Sequence, residues 1–218
     1  MTWIIDAGHG GKDAGAVNGT FLEKDWNLEI AKKVHEELKK NGVQSVLTRT
    51  ADTTLDLTTR CKNIKKIGAK KGISIHLNSA TNKTAQGFEF IHSIYSDGKF
   101  EEILKQEYSK ISELKPRPTT IFTKKHGNGD YYALHRDTGS VRMTIVESAF
   151  ISNESDKNFV FSENGKMKVV TAIVTAILKE EGKTVVKKTE TTTEKMNFTM
   201  SKQGHFHLKR KLKELYNE

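Results

Sequence analysis

Short apolar runs alternate with stretches of helical spacing along the first 182 residues. Trp3-Ile4-Ile5 reads as a buried first strand. The glycines of Asp6-Ala7-Gly8-His9-Gly10-Gly11-Lys12-Asp13 stop it and place His9 on a tight turn at its C-terminal end. From Leu22 to Asn41, the residues Leu28, Ile30, Ala31, Val34 and Leu38 fall on one helical face, closed by Asn41-Gly42. Val43 to Thr48 predicts a second strand, Arg49 to Asp56 a polar loop, Thr58 to Ile67 a second helix and Gly72 to His76 a third strand that again ends on a histidine. Gly87 to Ile91 reads as a strand, Lys99 to Leu114 as a helix, and Pro116 to Asp130 as a long surface loop. Tyr131 to Arg136 is expected as a short strand, Met143 to Glu147 as a buried one, and Ser155 to Phe161 and Lys166 to Glu181 as helices. The alternation predicts a single α/β domain with a twisted, mostly parallel central sheet of about six strands and helices on both faces, plus a short C-terminal appendage.

Composition adds boundaries. A domain long enough for a sizeable core spans 1–182, a Thr/Lys/Glu-rich linker 183–195 and a short basic segment 196–218. Of the net charge of +9, the first 182 residues carry 27 basic and 23 acidic side chains and the remainder 9 and 4, so more than half the excess sits in the tail. Such a tail suits an anionic partner or is simply solvated. Its basic residues are interleaved with Phe206, Leu208, Leu212 and Tyr216 at roughly helical spacing, which favours docking over a phosphate track, so nucleic acid is not the expected partner. No apolar run approaches the roughly 20 residues of a membrane-spanning helix. No secretory signal is read at the N-terminus, and synthesis in the cytoplasm is the expectation. The single cysteine, Cys61, excludes an intrachain disulfide and is expected to be an inert, half-buried thiol.

Three candidate metal ligands fall at element edges: His9 after the first strand, Glu23 at the start of the first helix and His76 at the end of the third strand. In a parallel sheet these three positions lie on one rim. Two imidazoles and one carboxylate with a further position for water form the ligand set of a catalytic zinc site. Glu147 closes a buried strand, where a carboxylate needs a partner to offset its desolvation. It is either the general base of such a site or the partner of an arginine such as Arg142 or Arg136. Among the other histidines, His35 is placed on the polar side of the first helix, His126 and His135 are candidates to line a groove from the long loop, His92 has no second ligand at recognisable spacing, and His205 and His207 read as solvent-facing.

The chain resembles the zinc-dependent N-acetylmuramoyl-L-alanine amidases of the type 3 family, which cut the amide between the lactyl group of muramic acid and the first alanine of the peptidoglycan stem. The resemblance rests on Asp6-Ala7-Gly8-His9-Gly10-Gly11 with Asp13 and Gly15, Leu22-Glu23-Lys24 with Asn27 and Leu28, Thr48-Arg49 with Asp52, Arg60, Ser74-Ile75-His76-Leu77-Asn78, Gly87-Phe88-Glu89, and Val146-Glu147 with Phe150-Ile151-Ser152-Asn153. It implies one Zn2+ held by His9, Glu23 and His76, with Glu147 as the catalytic carboxylate and Asn78 orienting substrate or its loop. Arg49 and Arg60 share the pattern and read as structural ion-pair residues. Ala7, Ala149 and Arg142-Met143 depart from it without removing a ligand. The expected substrate is bacterial peptidoglycan, with an anionic wall polymer as a further partner for the C-terminal segment and phage endolysin favoured over sporulation autolysin. Two rivals stand beside this reading: a zinc peptidase cutting within the stem, and a wall-binding module that does not cut.

Overall fold

The computed structural model describes residues 1–184. From residue 185 on, the expected linker, the basic segment and its two histidines lie outside the described residues. In chain order the elements are β1 (Thr2–Ala7), the two-residue strands β2 (Val17–Asn18) and β3 (Phe21–Leu22), α1 (Glu23–Lys40), β4 (Gln44–Leu47), α2 (Leu57–Ile67) and β5 (Lys71–Asn78). They continue with β6 (Phe88–Ile91), α3 (Lys99–Tyr108), β7 (Pro116–Phe122), the short β8 (Lys125–His126) and β9 (Gly129–Asp130), α4 (Ala133–Arg136), β10 (Arg142–Phe150), α5 (Glu154–Val160) and α6 (Glu163–Glu180).

Six strands form one sheet in the order β4-β1-β5-β10-β6-β7. The first four are mutually parallel. β6 joins β10 antiparallel, and β7 runs parallel to β6. The architecture is therefore the expected single α/β domain with a mostly parallel sheet. Its two faces are covered unequally. On one face Trp3, Ile5, Ile73, Ile75, Phe88, Phe90 and Val146 pack against apolar residues of α1, α3 and α6, including Trp26, Ile30, Phe100, Leu104, Val170 and Ile173. On the other, Ile4, Ile91, Met143 and Ile145 meet Cys61 and Ile64 of α2 and Leu134 of α4. The second layer is thin, and it leaves the C-terminal edge of the parallel strands open.

Helix α1 begins without a side-chain cap. Its first amides are satisfied by backbone instead, with Glu23 donating to the Ala16 carbonyl and Lys24 to that of Ala14. This fastens the loop after β1 to the helix start, where the helix dipole favours an acidic residue such as Glu23.

Four sequence expectations need correction. Pro116–Phe122 is the edge strand β7, not part of a loop. Two prolines and largely exposed positions hide it from any period-2 pattern, and an edge tolerates the missing amide of Pro118 because only one side of the strand is paired. Tyr131 to Arg136 is not a strand: Ala133–Arg136 forms one helical turn, with His135 and Arg136 amides donating to the Tyr132 carbonyl. Helix α3 ends at Tyr108; the chain continues to Leu114 in turns that still bury Ile111 and Leu114. Cys61 is fully buried rather than half-buried, and burial pushes its thiol up to about 11, which keeps it inert.

Near the C-terminal end of β10, the register slips between Glu147 and Phe150. Asp156 of α5 holds this irregular stretch, its Oδ2 accepting from the amides of Gly87 (2.6 Å) and Phe150 (2.9 Å). Asp156→Ala strands two buried donors and is expected to lower stability by about 2–4 kcal/mol. A urea midpoint within experimental error of wild type would contradict this.

Candidate metal centre and active site

The site is built on the turn after β1. His9 has φ 60°, the only non-glycine in the left-handed region among the described residues. Reciprocal backbone hydrogen bonds between Gly10 and Asp13 close the turn. Two buried arginines hold its carbonyls. Arg60 donates to the carbonyls of Ala7 and His9, both at 2.7 Å, and pairs with the buried Asp6. Arg49 donates to the carbonyls of Ala7 (3.0 Å), Gly8 (2.9 Å) and Lys24 (2.7 Å). The ion-pair role expected of Arg60 is found; Arg49 serves carbonyls instead.

Around this turn His9, Glu23 and His76 converge, with one donor atom from each within 4.8 Å of the others. Glu23 Oε1 lies 3.1 Å from His9 Nε2 and 3.0 Å from His76 Nδ1. A tetrahedral ion with ligands at about 2.0–2.1 Å separates neighbouring ligand atoms by about 3.3 Å, close to these spacings. The remaining ring nitrogens have partners. His9 Nδ1 meets Asp13 Oδ2 at 2.8 Å. His76 Nε2 meets Ser74 Oγ at 3.1 Å, and that hydroxyl donates to Asp6 Oδ2. With Ser74 donating onward, its oxygen is left to accept the His76 Nε2 proton, so Nδ1 faces the site. Glu23 is held by the amides of Ala16 (2.7 Å) and Leu77 (3.1 Å). The donor set, its outer partners and its spacing all fit a divalent ion such as zinc.

Close packing around the ligands depends on two glycines. A Cβ on Gly8 would lie 2.2–2.7 Å from the His76 ring, and one on Gly15 would lie 2.6 Å from Glu23 Oε2 and 2.7 Å from His9 Cδ2. Gly8 therefore makes room for the second histidine rather than merely leaving His9 open.

Charges within the triad are strongly coupled to this packing. Burial opposes the His9 charge, but Glu23 and Asp13 override it and push the imidazole up to about 9. Burial likewise works against ionised Glu23, yet hydrogen bonds from His76 and His9 hold it well below the usual carboxylate range. His76 is raised despite its burial, chiefly by Glu23.

Glu147 lies beside His76 in register on the neighbouring strand. Neither arginine considered as its partner reaches it: Arg142 pairs with Glu180, and Arg136 with Asp137 and nearby carbonyls. Its Oε2 is buried without a hydrogen-bond partner among the described residues. Burial pushes the carboxyl up to about 7, opposed by His76 and reinforced by Glu23 and Glu89. A cavity of about 500 Å³ opens over His9, His76 and Glu147, walled by Leu55, Leu57, Tyr132, Leu134 and Ile145. Neither His126 nor His135 lines it; Tyr132 to Leu134 do. His135 is buried and His126 is exposed. Asn78 sits one step away, its amide nitrogen donating to Glu89 Oε1 at 2.7 Å and its oxygen accepting from the Ser79 amide.

Sequence reasoning gave no role to Asp13, Ser74 or Asp6 as partners of the ligands. Ser74 and His76 are two apart on one strand and so share a face, a signal the sequence does carry.

The family model described as N-acetylmuramoyl-L-alanine amidase matches residues 4–179. The chain is similar to the germination-specific N-acetylmuramoyl-L-alanine amidase of Bacillus subtilis, 30% identical over 190 residues that cover 80% of this chain and 77% of the relative. Among solved structures it resembles the catalytic domain of CwlV, an N-acetylmuramoyl-L-alanine amidase from Bacillus (Paenibacillus) polymyxa, with a TM-score of 0.74 and 28% identity, covering 84% of this chain and 99% of that one. It is also similar to the N-acetylmuramoyl-L-alanine amidase AmiC2 of Nostoc punctiforme, with a TM-score of 0.75 and 30% identity over 84% and 98% of the two chains. No helix among the described residues is long and apolar enough to cross a membrane. Because the family match runs from within β1 to the last turn of α6, it spans the described fold from its first strand to its last helix, and the chain belongs to the N-acetylmuramoyl-L-alanine amidase family of peptidoglycan hydrolases.

Proposed function

We propose that this amidase is zinc-dependent, with His9, Glu23 and His76 as ligands and Glu147 as the proton-transferring carboxylate, and that it acts in bacterial cell lysis. The observation that carries the reading is the convergence of three donor atoms within 4.8 Å beside a buried carboxylate oxygen that has no partner among the described residues. Bound there, zinc supplies a Lewis acid that polarises the scissile carbonyl and makes water more acidic. Glu147 Oε2 takes the proton of the attacking water and returns it to the departing alanine nitrogen. A carboxyl pushed up toward neutrality is suited to both halves of that transfer, since it neither holds nor releases the proton too strongly. Asp13 and the Ser74–Asp6 pair orient the two imidazoles, and the apolar walls of the cavity restrict water around the amide.

The lysis role is that of a wall hydrolase made in the cytoplasm and delivered on release, as an endolysin is, with the basic C-terminal segment as a wall-targeting or self-association element. Deleting residues 183–218 and comparing binding to intact cells with cutting of soluble fragments tests the segment.

Digestion of purified wall by the zinc-loaded protein is expected to yield bare glycan and stems with a free N-terminal alanine by mass spectrometry. Glu147→Ala should keep its metal and lose about 10²–10⁴-fold in rate, whereas His9→Ala and His76→Ala should lose metal and activity together. Undiminished hydrolysis by Glu147→Ala would overturn its role.

Gly8→Ala removes no donor, yet its new methyl meets the His76 ring. It is expected to lower metal content as His76→Ala does, read by elemental analysis of the purified variant.

Metal must also displace a proton from His9, whose folded value of about 9 lies above its ordinary 6.5. Affinity should therefore rise with pH through neutrality, by up to about tenfold per unit for each proton released, and level off near 9. Chelator competition at several pH values checks this, and a flat profile between pH 6.5 and 8.5 would contradict it.

A further inference from the structure

A second polar cluster continues the line of the active site across the sheet. Glu147 of β10 is in register with His76 on one side and with Glu89 of β6 on the other. Beyond Glu89 comes β7, where Arg117 follows the Pro116 that pairs with Phe88. Arg117 Nε donates to Glu89 Oε2 at 3.3 Å, and its guanidinium carbon lies 4.9 Å from the centre of the Phe150 ring. Asn78 caps the other oxygen of Glu89. The two terminal nitrogens of Arg117 make no hydrogen bond among the described residues, and the side chain remains 34% exposed.

An arginine pinned at Nε and stacked on a ring has already lost most of its rotamer freedom, while its planar fork of donors stays free. That is a pre-organised receptor for a carboxylate. Glu89 does not compete for the position, because both its oxygens are engaged by Asn78 and Arg117. Strands lie about 4.8 Å apart, so Arg117 stands two strands, about 10 Å, from Glu147. One residue spans about 3.8 Å of chain, which places the α-carboxyl of the second stem residue about 7–8 Å from the scissile carbonyl, within reach of a side chain of this length. In peptidoglycan that second residue is D-glutamate joined onward through its γ-carboxyl, and its α-carboxyl is either free or amidated.

We infer that Arg117, held by Glu89 and Phe150, binds the free α-carboxylate of the second stem residue and makes the enzyme selective for unamidated stems. The inference rests on the amidase reading and deepens it. A carboxamide offers the fork one oxygen and turns its own N–H groups toward the other donor, so the bidentate pair is lost.

The test compares kcat/KM of the zinc-loaded full chain on two soluble disaccharide tripeptides that differ only in this group, carboxylate or carboxamide. Wild type is expected to favour the carboxylate by about 10–100-fold, chiefly through KM, the worth of charge-assisted hydrogen bonds. In R117Q the ratio should fall to about one, and in R117K, which keeps charge without the fork, to an intermediate value. The ratio is internal to each variant, so partial loss of folded protein does not alter it. A wild-type ratio near one, or an unchanged ratio in both variants, would overturn the inference while leaving the amidase reading standing. Failure of wild type to cut either compound would remove that reading and this one together.

Discussion

Two guanidinium groups on the carbonyls of one turn hold the active site in place. Ala7 ends β1 and Gly8 and His9 follow it, and the carbonyls of all three take side-chain donors instead of the amides of a neighbouring strand. Arg60 and Arg49 supply these, with Ala7 accepting from both. The left-handed backbone at His9 costs about 1–3 kcal/mol on its own and persists only because its surroundings fix it. Arg60 in turn is neutralised by Asp6, whose second oxygen accepts from Ser74, the partner of His76. One buried acid thus connects the clamp on the first histidine to the orientation of the second. Breaking a buried pair of this kind by removing one partner costs about 3–5 kcal/mol, and here it would misplace both imidazoles as well.

The unequal covering of the sheet explains why the site lies where it does. Helices α1, α3 and α6 bury one face completely, while α2 and α4 cover only part of the other. Parallel β1, β5 and β10 all end at the same edge, and the face left thinly covered carries His76 and Glu147 side by side. Helix α1 starts from that edge and contributes Glu23 from its first turn. Four functional side chains from four elements therefore meet without any long excursion of the chain.

The three residues that could hold a metal are legible in the sequence because each stands where a hydrophobic period stops: His9 after β1, Glu23 at the first turn of α1, His76 near the end of β5. The alternation of strands and helices is equally plain wherever a strand is buried on both faces. Edge strand β7 is not, since a half-exposed strand with two prolines has little apolar pattern to display. The single turn of α4 is invisible for the opposite reason: aromatic residues at Tyr131 and Tyr132 suggest a strand, while the turn itself is fixed by tertiary bonds from Arg136 to the carbonyls of Asp130 and Tyr131. The pairing of Arg117 with Glu89 escapes notice because it runs across strands, and cross-strand register is set by the whole sheet rather than by local sequence.

The electrostatics of the site follow from the same placement. Glu23 sits between two imidazoles and under two backbone amides, so its negative charge is fixed, and that charge favours protons on His9 and His76. Glu147, on the adjoining strand, has the opposite environment: apolar burial, two further carboxylates in its field and one oxygen without a donor. The fold therefore gives two chemically identical side chains opposite surroundings. Glu23 is committed as a permanent anion, and Glu147 is left able to gain and lose a proton near neutrality. A cation beside Glu147 would have fixed its charge as the imidazoles and amides fix that of Glu23. Arg142, further back along β10 and on its other face, pairs with Glu180, and Arg136 pairs with Asp137, so neither neutralises Glu147.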